Sequence, residues 1–327
     1  FRSTVASVFV SNLKQENFFA KMRKYPSVRA MHLSEGNIPE TVYDNLIETV
    51  HRHLPDMHRY MALRKKILGV EHLHMYELYV PLVPDADQTI PYEEAKENVA
   101  KALAPMGKAY TDILREGYEH GWIDVVANAN KRSGAYSWGA YGTHPYVLLN
   151  QQDDLDSMFT LAHEMGHAIH TYYSDKTQPY RYSGYLIFVA EVASTCNECL
   201  LNHYLLEHET EAKNRNYILN HYLENFRTTL FRQTMFAEFE KIVHEKTALG
   251  ESLTKDELNK IYHDLNVRYY GPDVVVDNEI DYEWMRIPHF YTAFYVYQYA
   301  TGFSAAVAFS KKILEEGQPA VDRYVKE

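Results

Sequence analysis

Cysteine is scarce in this chain, and only Cys196 and Cys199 occur among its 327 residues. Two cysteines three positions apart cannot build the disulfide framework of a small secreted domain. No second pair is present to complete a four-cysteine zinc site, so we interpret the two as small residues packed in a helix. The scarcity favours a reducing compartment.

Basic residues and long apolar runs are also few. Lys and Arg number 33 against 44 Asp and Glu, which gives a formal net charge of −11. This charge argues against nucleic acid or an anionic membrane as the main partner. No apolar stretch reaches the length of a membrane span, and the N-terminus lacks a signal-peptide pattern. The chain begins at Phe1 and ends within a helical pattern, so we expect a fragment.

The remaining composition is that of a globular protein, with 46% hydrophobic residues and enough length for one large or two ordinary domains. Apolar residues recur at helical spacing through residues 1–68 and 209–250, which predicts helices there. Residues 75–80 combine β-formers before a proline, and we predict a strand. Residues 84–88 are predicted as a loop. Most of the 28 tyrosines are expected to pack in the core.

The most informative stretch is His163-Glu164-x-x-His167, which lies in an apolar segment without proline. On a helix, residues four apart lie on one face with Cβ atoms about 6 Å apart. His163 and His167 can therefore bind one metal ion, and neutral imidazoles suit Zn²⁺. Glu164 projects beside them, where its carboxylate can take a proton from water. The pattern is typical of metallopeptidases.

A third ligand is expected from the apolar helix that follows. Glu191 lies among small and apolar residues, where an unpaired carboxylate is destabilising, so it should have a cationic partner. Glu198 lies two turns further on the same face and could accept an imidazole N–H. Spacing alone leaves either glutamate as the ligand, and the more apolar setting favours Glu191. The longer motif that needs Gly at 170 and His at 173 is excluded, because His170 and Tyr173 stand there.

A glycine-rich aromatic segment, residues 133–150, precedes the motif helix. Its end predicts a strand, and Pro145 indicates an edge position. Such an edge could add a substrate peptide as a further strand, with Gly139, Tyr141 and Gly142 as contact residues. An ordinary surface hairpin is the alternative, and the sequence does not decide between the two.

Near the C-terminus, Pro288 is predicted to start a helix that carries His289 and four tyrosines. A zinc peptidase needs hydrogen-bond donors at the oxyanion of its tetrahedral intermediate, and His and Tyr side chains are the usual kinds. Helical periodicity gives two faces and does not say which one lines the cleft. The faces are Tyr291, Tyr295 and Tyr299 on one side, and Phe290, Phe294 and Tyr297 on the other.

Together these residues resemble the thimet oligopeptidase family of zinc metallopeptidases, and its oligopeptidase F branch in particular. The similarity rests on residues 163–170 with Glu191 after them, on residues 133–136, and on residues 289–302, and it extends through essentially the whole chain. The resemblance implies a mainly α fold, with a helical shell around a deep channel and a small β-sheet next to the zinc-binding helix. It also implies a cytoplasmic protein. Members of the family carry an N-terminal lobe that this sequence lacks.

The resemblance assigns roles around one Zn²⁺ per chain. It makes His163, His167 and Glu191 the ligands and Glu164 the general base. Glu198 matches an acid that supports a ligand through a hydrogen bond.

The resemblance extends to the C-terminal tyrosines. When the C-terminal segment is aligned with the thimet branch of the family without gaps, Tyr297 falls on a tyrosine that stabilises the transition state. His289 falls on a second hydrogen-bond donor only if the alignment contains a gap. Tyr291 and Tyr295 are expected to bind substrate.

Over residues 1–327 we therefore expect the catalytic region of a zinc oligopeptidase. Residues 1–130 would be mostly helical support, and residues 131–327 would hold the zinc site and the substrate channel. The expected function is hydrolysis of internal peptide bonds in short to medium oligopeptides, with no nucleic-acid or membrane partner. The alternatives are a metallocarboxypeptidase on a similar helical fold and a non-catalytic peptide-binding protein with a structural zinc. A structural site would have four protein ligands, whereas three are found here. The oligomeric state is left open.

Overall fold

The computed structural model describes residues 1–83 and 89–326, and the loop predicted at residues 84–88 lies outside them. Helices dominate the described residues, which confirms the predicted mainly α fold. The helices are α1 (Arg2–Met22), α2 (Val28–Glu35), α3 (Glu40–Leu68), α4 (Tyr92–Ala102), α5 (Lys108–Glu119), α6 (Leu155–Thr177), α7 (Ile187–His208), α8 (Ala212–Asn225), α9 (Arg232–Ala248), α10 (Lys255–Tyr270), α11 (Tyr297–Glu316) and α12 (Gln318–Lys326). The strands are β1 (Leu73–His74), β2 (Ile123–Asp124), β3 (Tyr136–Trp138), β4 (Tyr146–Leu148) and β5 (Val274–Val275). Across these described ranges, no helix combines the length and the apolar character that a membrane span requires.

The chain forms two compact units. The first comprises Phe1–Leu82 and Leu223–Thr301, and the second comprises Val83–Tyr222 and Gly302–Glu327. The division predicted at residue 130 concerns roles in catalysis, and it stays a prediction.

The first unit is built around an aromatic core. Phe9 on α1 packs against Trp284 at 5.4 Å between ring centroids, and Phe239 on α9 packs against Phe290 at 5.1 Å. These rings are almost completely buried, and rings in such offset or tilted pairs stabilise a core beyond the area they bury. Phe231, Phe236 and Phe239 are buried and therefore have the packing role that the periodicity of residues 209–250 predicts.

The strand predicted at residues 75–80 is wrong. Met75–Tyr79 form a 3₁₀ turn that follows the short strand β1. The carboxylate of Glu77 accepts the backbone N–H of His74 at 2.7 Å, and Asp277 accepts the N–H of Met75 at 3.1 Å. These acceptors satisfy backbone donors at the start of the turn, and the capping outweighs the β propensity of the side chains.

The helix predicted from Pro288 is also wrong in its first half. Pro288–Tyr291 form a 3₁₀ turn, and α11 begins only at Tyr297. Between them Phe294 has a φ of 56°, in the left-handed region that an α-helix excludes. Its backbone N–H donates to the carboxylate of Glu240 at 2.9 Å. Because this partner lies 54 residues away, helical periodicity could not reveal the break.

The second unit holds α6 and α7, which pack along each other in its core. Asn197 on α7 donates to the carbonyl oxygen of Ala162 at 3.1 Å and accepts the hydroxyl of Tyr110 at 2.9 Å. These bonds connect α5, α6 and α7 inside the apolar core. Cys196 and Cys199 are buried free thiols on α7, and burial raises the pKa of each to about 12.

A three-stranded sheet lies beside α6 in the second unit, as predicted. Its strand order is β2-β4-β3, with β2 parallel and β3 antiparallel to the central β4. At residue 139, just after β3, a Cβ atom would lie 2.4 Å from Cγ2 of Thr171 on α6. Glycine at this position therefore lets the end of the outer strand lie close to the helix.

Candidate metal centre

Helix α6 brings two histidines onto one face. The Asp154 side chain caps the helix by accepting the N–H of Ser157 at 2.8 Å. From this start the helix runs without a break to Thr177. The Nε2 atoms of His163 and His167 are 3.1 Å apart, so both imidazoles present a nitrogen to the same point.

Helix α7 brings Glu191 to these nitrogens. Its Oε2 atom lies 3.6 Å from Nε2 of His163 and 3.9 Å from Nε2 of His167. The three ligand atoms all lie within 4.8 Å of one another, and no other such group of His, Cys, Asp and Glu occurs in residues 1–83 and 89–326. Two imidazoles and one carboxylate are a donor set that suits zinc with an open coordination position.

Close packing at Gly166 sets the separation of the two helices. A Cβ atom there would lie 2.6 Å from Cα of Ser194 and 2.8 Å from the carbonyl oxygen of Ala193, both on α7. Only glycine allows this approach, which carries Glu191 towards the histidines on α6. Sequence reasoning missed this role, and its signal was a glycine inside an otherwise strong helix.

Glu198 forms a hydrogen bond with His163 on the side of the ring that faces away from Glu191 and His167. Its Oε1 atom is 2.5 Å from Nδ1 of His163, so Nε2 is left as the nitrogen that faces Glu191 and His167. Burial disfavours the imidazolium, but the hydrogen bond and charge of Glu198 outweigh it and raise the pKa of His163 to about 9. Burial lowers the pKa of His167 to about 3, with a further contribution from His163.

Glu164 is a buried carboxyl beside the cluster. It is 7% exposed, and its Oε2 atom has no hydrogen-bond partner among the described residues. Burial raises its pKa to about 7; Glu191 and Glu198 act in the same direction, and His163 opposes them. A carboxyl group with a pKa near neutrality can both take and release a proton under ordinary conditions.

His170 takes no part in the cluster of His163, His167 and Glu191. Its ring stacks on Tyr185 at 3.7 Å, and burial lowers its pKa to about 4. Both residues line a cavity of about 730 Å³ in the second unit, together with Gly166 and Val192, which adjoin the ligands His167 and Glu191.

The edge position predicted from Pro145 is wrong, because β4, the strand that follows Pro145, is the central strand of the sheet. Within the segment predicted to bind substrate, the outer strand is β3. β3 pairs only with β4 among the described strands, and Tyr136 and Trp138 on it are exposed. Gly142 has a φ of 87° in the turn after β3. The hydroxyl of Tyr141 donates to the carbonyl oxygen of Gln178 at 3.1 Å.

The residues predicted as oxyanion donors belong to the first unit. Tyr297 is 2% exposed and packs against Tyr43 at 5.0 Å between ring centroids, and burial raises its pKa to about 12. Tyr291 and His289 are exposed, whereas Tyr295 is half-buried.

Sequence reasoning gave no role to Tyr299, whose hydroxyl donates to that of Tyr295 at 3.2 Å. The available signal was the spacing of four residues between them.

The whole sequence, residues 1–327, matches Peptidase family M3, and the chain belongs to this family. Oligopeptidase PepF of Bacillus subtilis is 55% identical over 325 residues, which cover 99% of this chain and 48% of that protein. An oligoendopeptidase F homolog of Lactococcus lactis is 45% identical over 326 residues, which cover 100% of this chain and 54% of that protein. The crystal structure of oligoendopeptidase-F from Enterococcus faecium is 44% identical with a TM-score of 0.79, covering 100% of this chain and 52% of that one. The predicted resemblance is confirmed, and the chain spans about half the length of these relatives.

Proposed function

We propose that this chain is the catalytic region of a zinc-dependent endopeptidase that hydrolyses internal bonds of short to medium oligopeptides. One observation carries the proposal: a buried carboxyl without a described hydrogen-bond partner, that of Glu164, adjoins a three-residue metal-ligand cluster. A purely structural zinc site needs no such group, because four protein ligands close it. Membership in Peptidase family M3 supports peptides as the substrates.

The cluster fits one Zn²⁺ per chain. His163, His167 and Glu191 would hold the ion, and their donor atoms are those that zinc prefers in hydrolytic enzymes. When bound, zinc acts as a Lewis acid and makes water more acidic. His163 must lose its proton to become a ligand, and Glu198 holds the ring with Nε2 directed to the site.

Glu164 would act as the general base and then as the general acid. The low-dielectric surroundings that raise its pKa to about 7 favour uptake of a proton from the attacking water. The same carboxyl then donates this proton to the leaving amine, so the group returns to its starting state.

The outer strand β3 would orient the peptide. A substrate that adds to this edge as a further strand would pair with Tyr136–Trp138, and its backbone would continue past Gly139, Tyr141 and Gly142. The contact between Gly139 and Thr171 supports this role, because it fixes the end of the strand against the helix that carries the histidines.

The oxyanion donors rest on the family resemblance. We propose Tyr297 and His289 for this role, and Tyr291 and Tyr295 as substrate-binding residues. We propose the cytoplasm as the compartment, which the two free thiols support.

The test uses an internally quenched peptide of about ten residues that is blocked at both ends. Cleavage at an internal bond should stop when a chelator removes the metal and return when Zn²⁺ is added. Release of single residues only from peptides with a free C-terminus would instead identify a metallocarboxypeptidase. Stoichiometric zinc without any cleavage would favour a peptide-binding protein.

A further inference from the structure

Three polar aromatic side chains of the first unit converge next to Phe294. The ring of His289 stacks on Tyr295 with 5.7 Å between centroids and meets the edge of Tyr299 at 6.0 Å. The hydroxyls of the two tyrosines are joined by the 3.2 Å hydrogen bond. None of the three is fully buried, so an imidazole and two hydroxyls share one partly exposed cluster.

This cluster exists only because the chain bends between residues 291 and 297. In one continuous helix, residues six apart point about 120° apart around the axis, so His289 and Tyr295 would face different sides. Because the chain bends at Phe294, the 3₁₀ turn that contains His289 folds back against the start of α11. The arrangement of the three side chains therefore depends on the conformation of one residue.

Glu240 on α9 holds that conformation. A left-handed φ is unfavourable for a residue such as phenylalanine and persists only where the surroundings determine it. The N–H of Phe294 donates to Glu240 at 2.9 Å, and the carboxyl is 1% exposed. The rings of His244 and Tyr43 pack against the Phe294 ring at 4.8 and 5.5 Å.

The groups around the hydrogen bond from Phe294 to Glu240 are uncharged at neutral pH. Burial raises the pKa of Glu240 to about 8, although the Phe294 N–H opposes this shift. Burial lowers the pKa of His244 to about 3, and His32 adds to that effect. Burial raises the pKa of Tyr43 well above its usual value, and Glu240 acts in the same direction. At neutral pH the bend is therefore held by a hydrogen bond and by ring packing rather than by an ion pair.

We propose that Glu240 is a positioning residue that fixes residues 288–299 and so arranges His289, Tyr295 and Tyr299 for peptide hydrolysis. The proposal rests on the proposed function for its catalytic consequence, but the conformational part is independent of it. Glu240 acts through the Phe294 N–H and has no contact with substrate.

The experiment compares zinc-loaded wild type with Glu240→Leu, which removes the acceptor, and Glu240→Gln, which keeps it. Deuterium uptake over residues 288–299 should rise roughly tenfold in Glu240→Leu and stay near wild type in Glu240→Gln. For the blocked peptide, kcat should fall at least tenfold in Glu240→Leu with a smaller change in KM, and Glu240→Gln should restore it.

Glu238→Leu is the matched control. Glu238 is a buried carboxylate on the same helix that accepts from Tyr269 and pairs with His51. Its loss should lower stability without changing uptake over residues 288–299 or kcat. Equal effects of Glu238→Leu and Glu240→Leu on kcat would overturn the proposal, because they would reflect stability alone.

Wild type supplies a further test that needs no variant. The buried Phe294 amide should exchange more slowly than that of Thr292, which donates to the carbonyl oxygen of His289 at 2.9 Å but lies in an exposed turn. Equally fast exchange of the two amides would overturn the proposal even if Glu240→Leu fails to fold. A wild type that binds zinc but cleaves nothing would refute the proposed function. Hydrogen exchange would then still test whether Glu240 holds the bend at Phe294.

Discussion

Replacing Gly166 by alanine should destabilise the protein, although the same change inside a helix is normally favourable. In an exposed helix interior, alanine is more stable than glycine by about 1 kcal/mol. At Gly166 the added methyl would meet the backbone of α7, with Cα of Ser194 at 2.6 Å and its nitrogen at 2.9 Å. Backbone atoms cannot rotate away, so the two helices must separate.

The expected size follows from these distances. Restoring an ordinary carbon–carbon contact of about 3.6 Å requires the helices to move apart by about 1 Å. Overpacking of this kind costs about 1–3 kcal/mol, so the net loss is up to about 2 kcal/mol after the gain in helix propensity. The same movement takes Glu191 away from His163 and His167. Because zinc sites tolerate only about 0.2 Å in ligand distance, zinc affinity should fall at least about tenfold.

Urea unfolding in the presence of a chelator measures the first effect, and competition with a zinc indicator measures the second. Gly184→Ala is the matched control, because a methyl there has no neighbour within 4 Å and the residue has no left-handed φ. An unfolding free energy for Gly166→Ala equal to or above that of wild type, with unchanged zinc affinity, would refute the packing argument.

Three further changes have defined outcomes. Glu198→Gln should lower zinc affinity about 10- to 100-fold, since the ring of His163 loses its charged hydrogen-bond partner; a zinc titration with unchanged affinity would contradict this. Gly139→Ala should lower cleavage of the blocked peptide, and an added Thr171→Ser should partly restore it by removing the methyl that the new Cβ meets at 2.4 Å. A Gly139→Ala protein as active as wild type would contradict the importance of this close approach between residues 139 and 171. Because the pKa of Glu240 is raised from 4.5 to about 8 on folding, the stability it contributes is present below pH 4.5 and is lost as pH rises to 8. In urea unfolding, the free energy of unfolding of wild type should therefore fall relative to that of Glu240→Gln by up to about 1.4 kcal/mol per pH unit over this range. Parallel pH profiles of the two proteins would contradict the raised pKa of Glu240.

The candidate metal ligands can be predicted from the sequence because the evidence for them is local. The spacing of His163 and His167 follows directly from helix geometry, and an apolar helix around Glu191 implies a cationic partner. The contacts that set the cluster's dimensions are not local. Gly166 meets Ser194 across two helices, and no periodicity contains that information.

The two errors in secondary structure have the same origin. Residues 75–79 have β-forming side chains, yet acceptors on Glu77 and on the distant Asp277 cap them as a turn. The helix expected from Pro288 is broken because Glu240 binds the N–H of Phe294. In both places a carboxyl group from elsewhere in the chain, that of Asp277 or of Glu240, overrides the local preference.

The central claim is that Glu164 is the base beside a zinc ion held by His163, His167 and Glu191. Its most direct test is the turnover of the blocked peptide by wild type and Glu164→Gln at equal, measured zinc content. The claim predicts one zinc per chain in both proteins and a loss of turnover of at least about 10³-fold in the variant, because the amide cannot take up the proton. Turnover within tenfold of wild type at the same zinc content would contradict it.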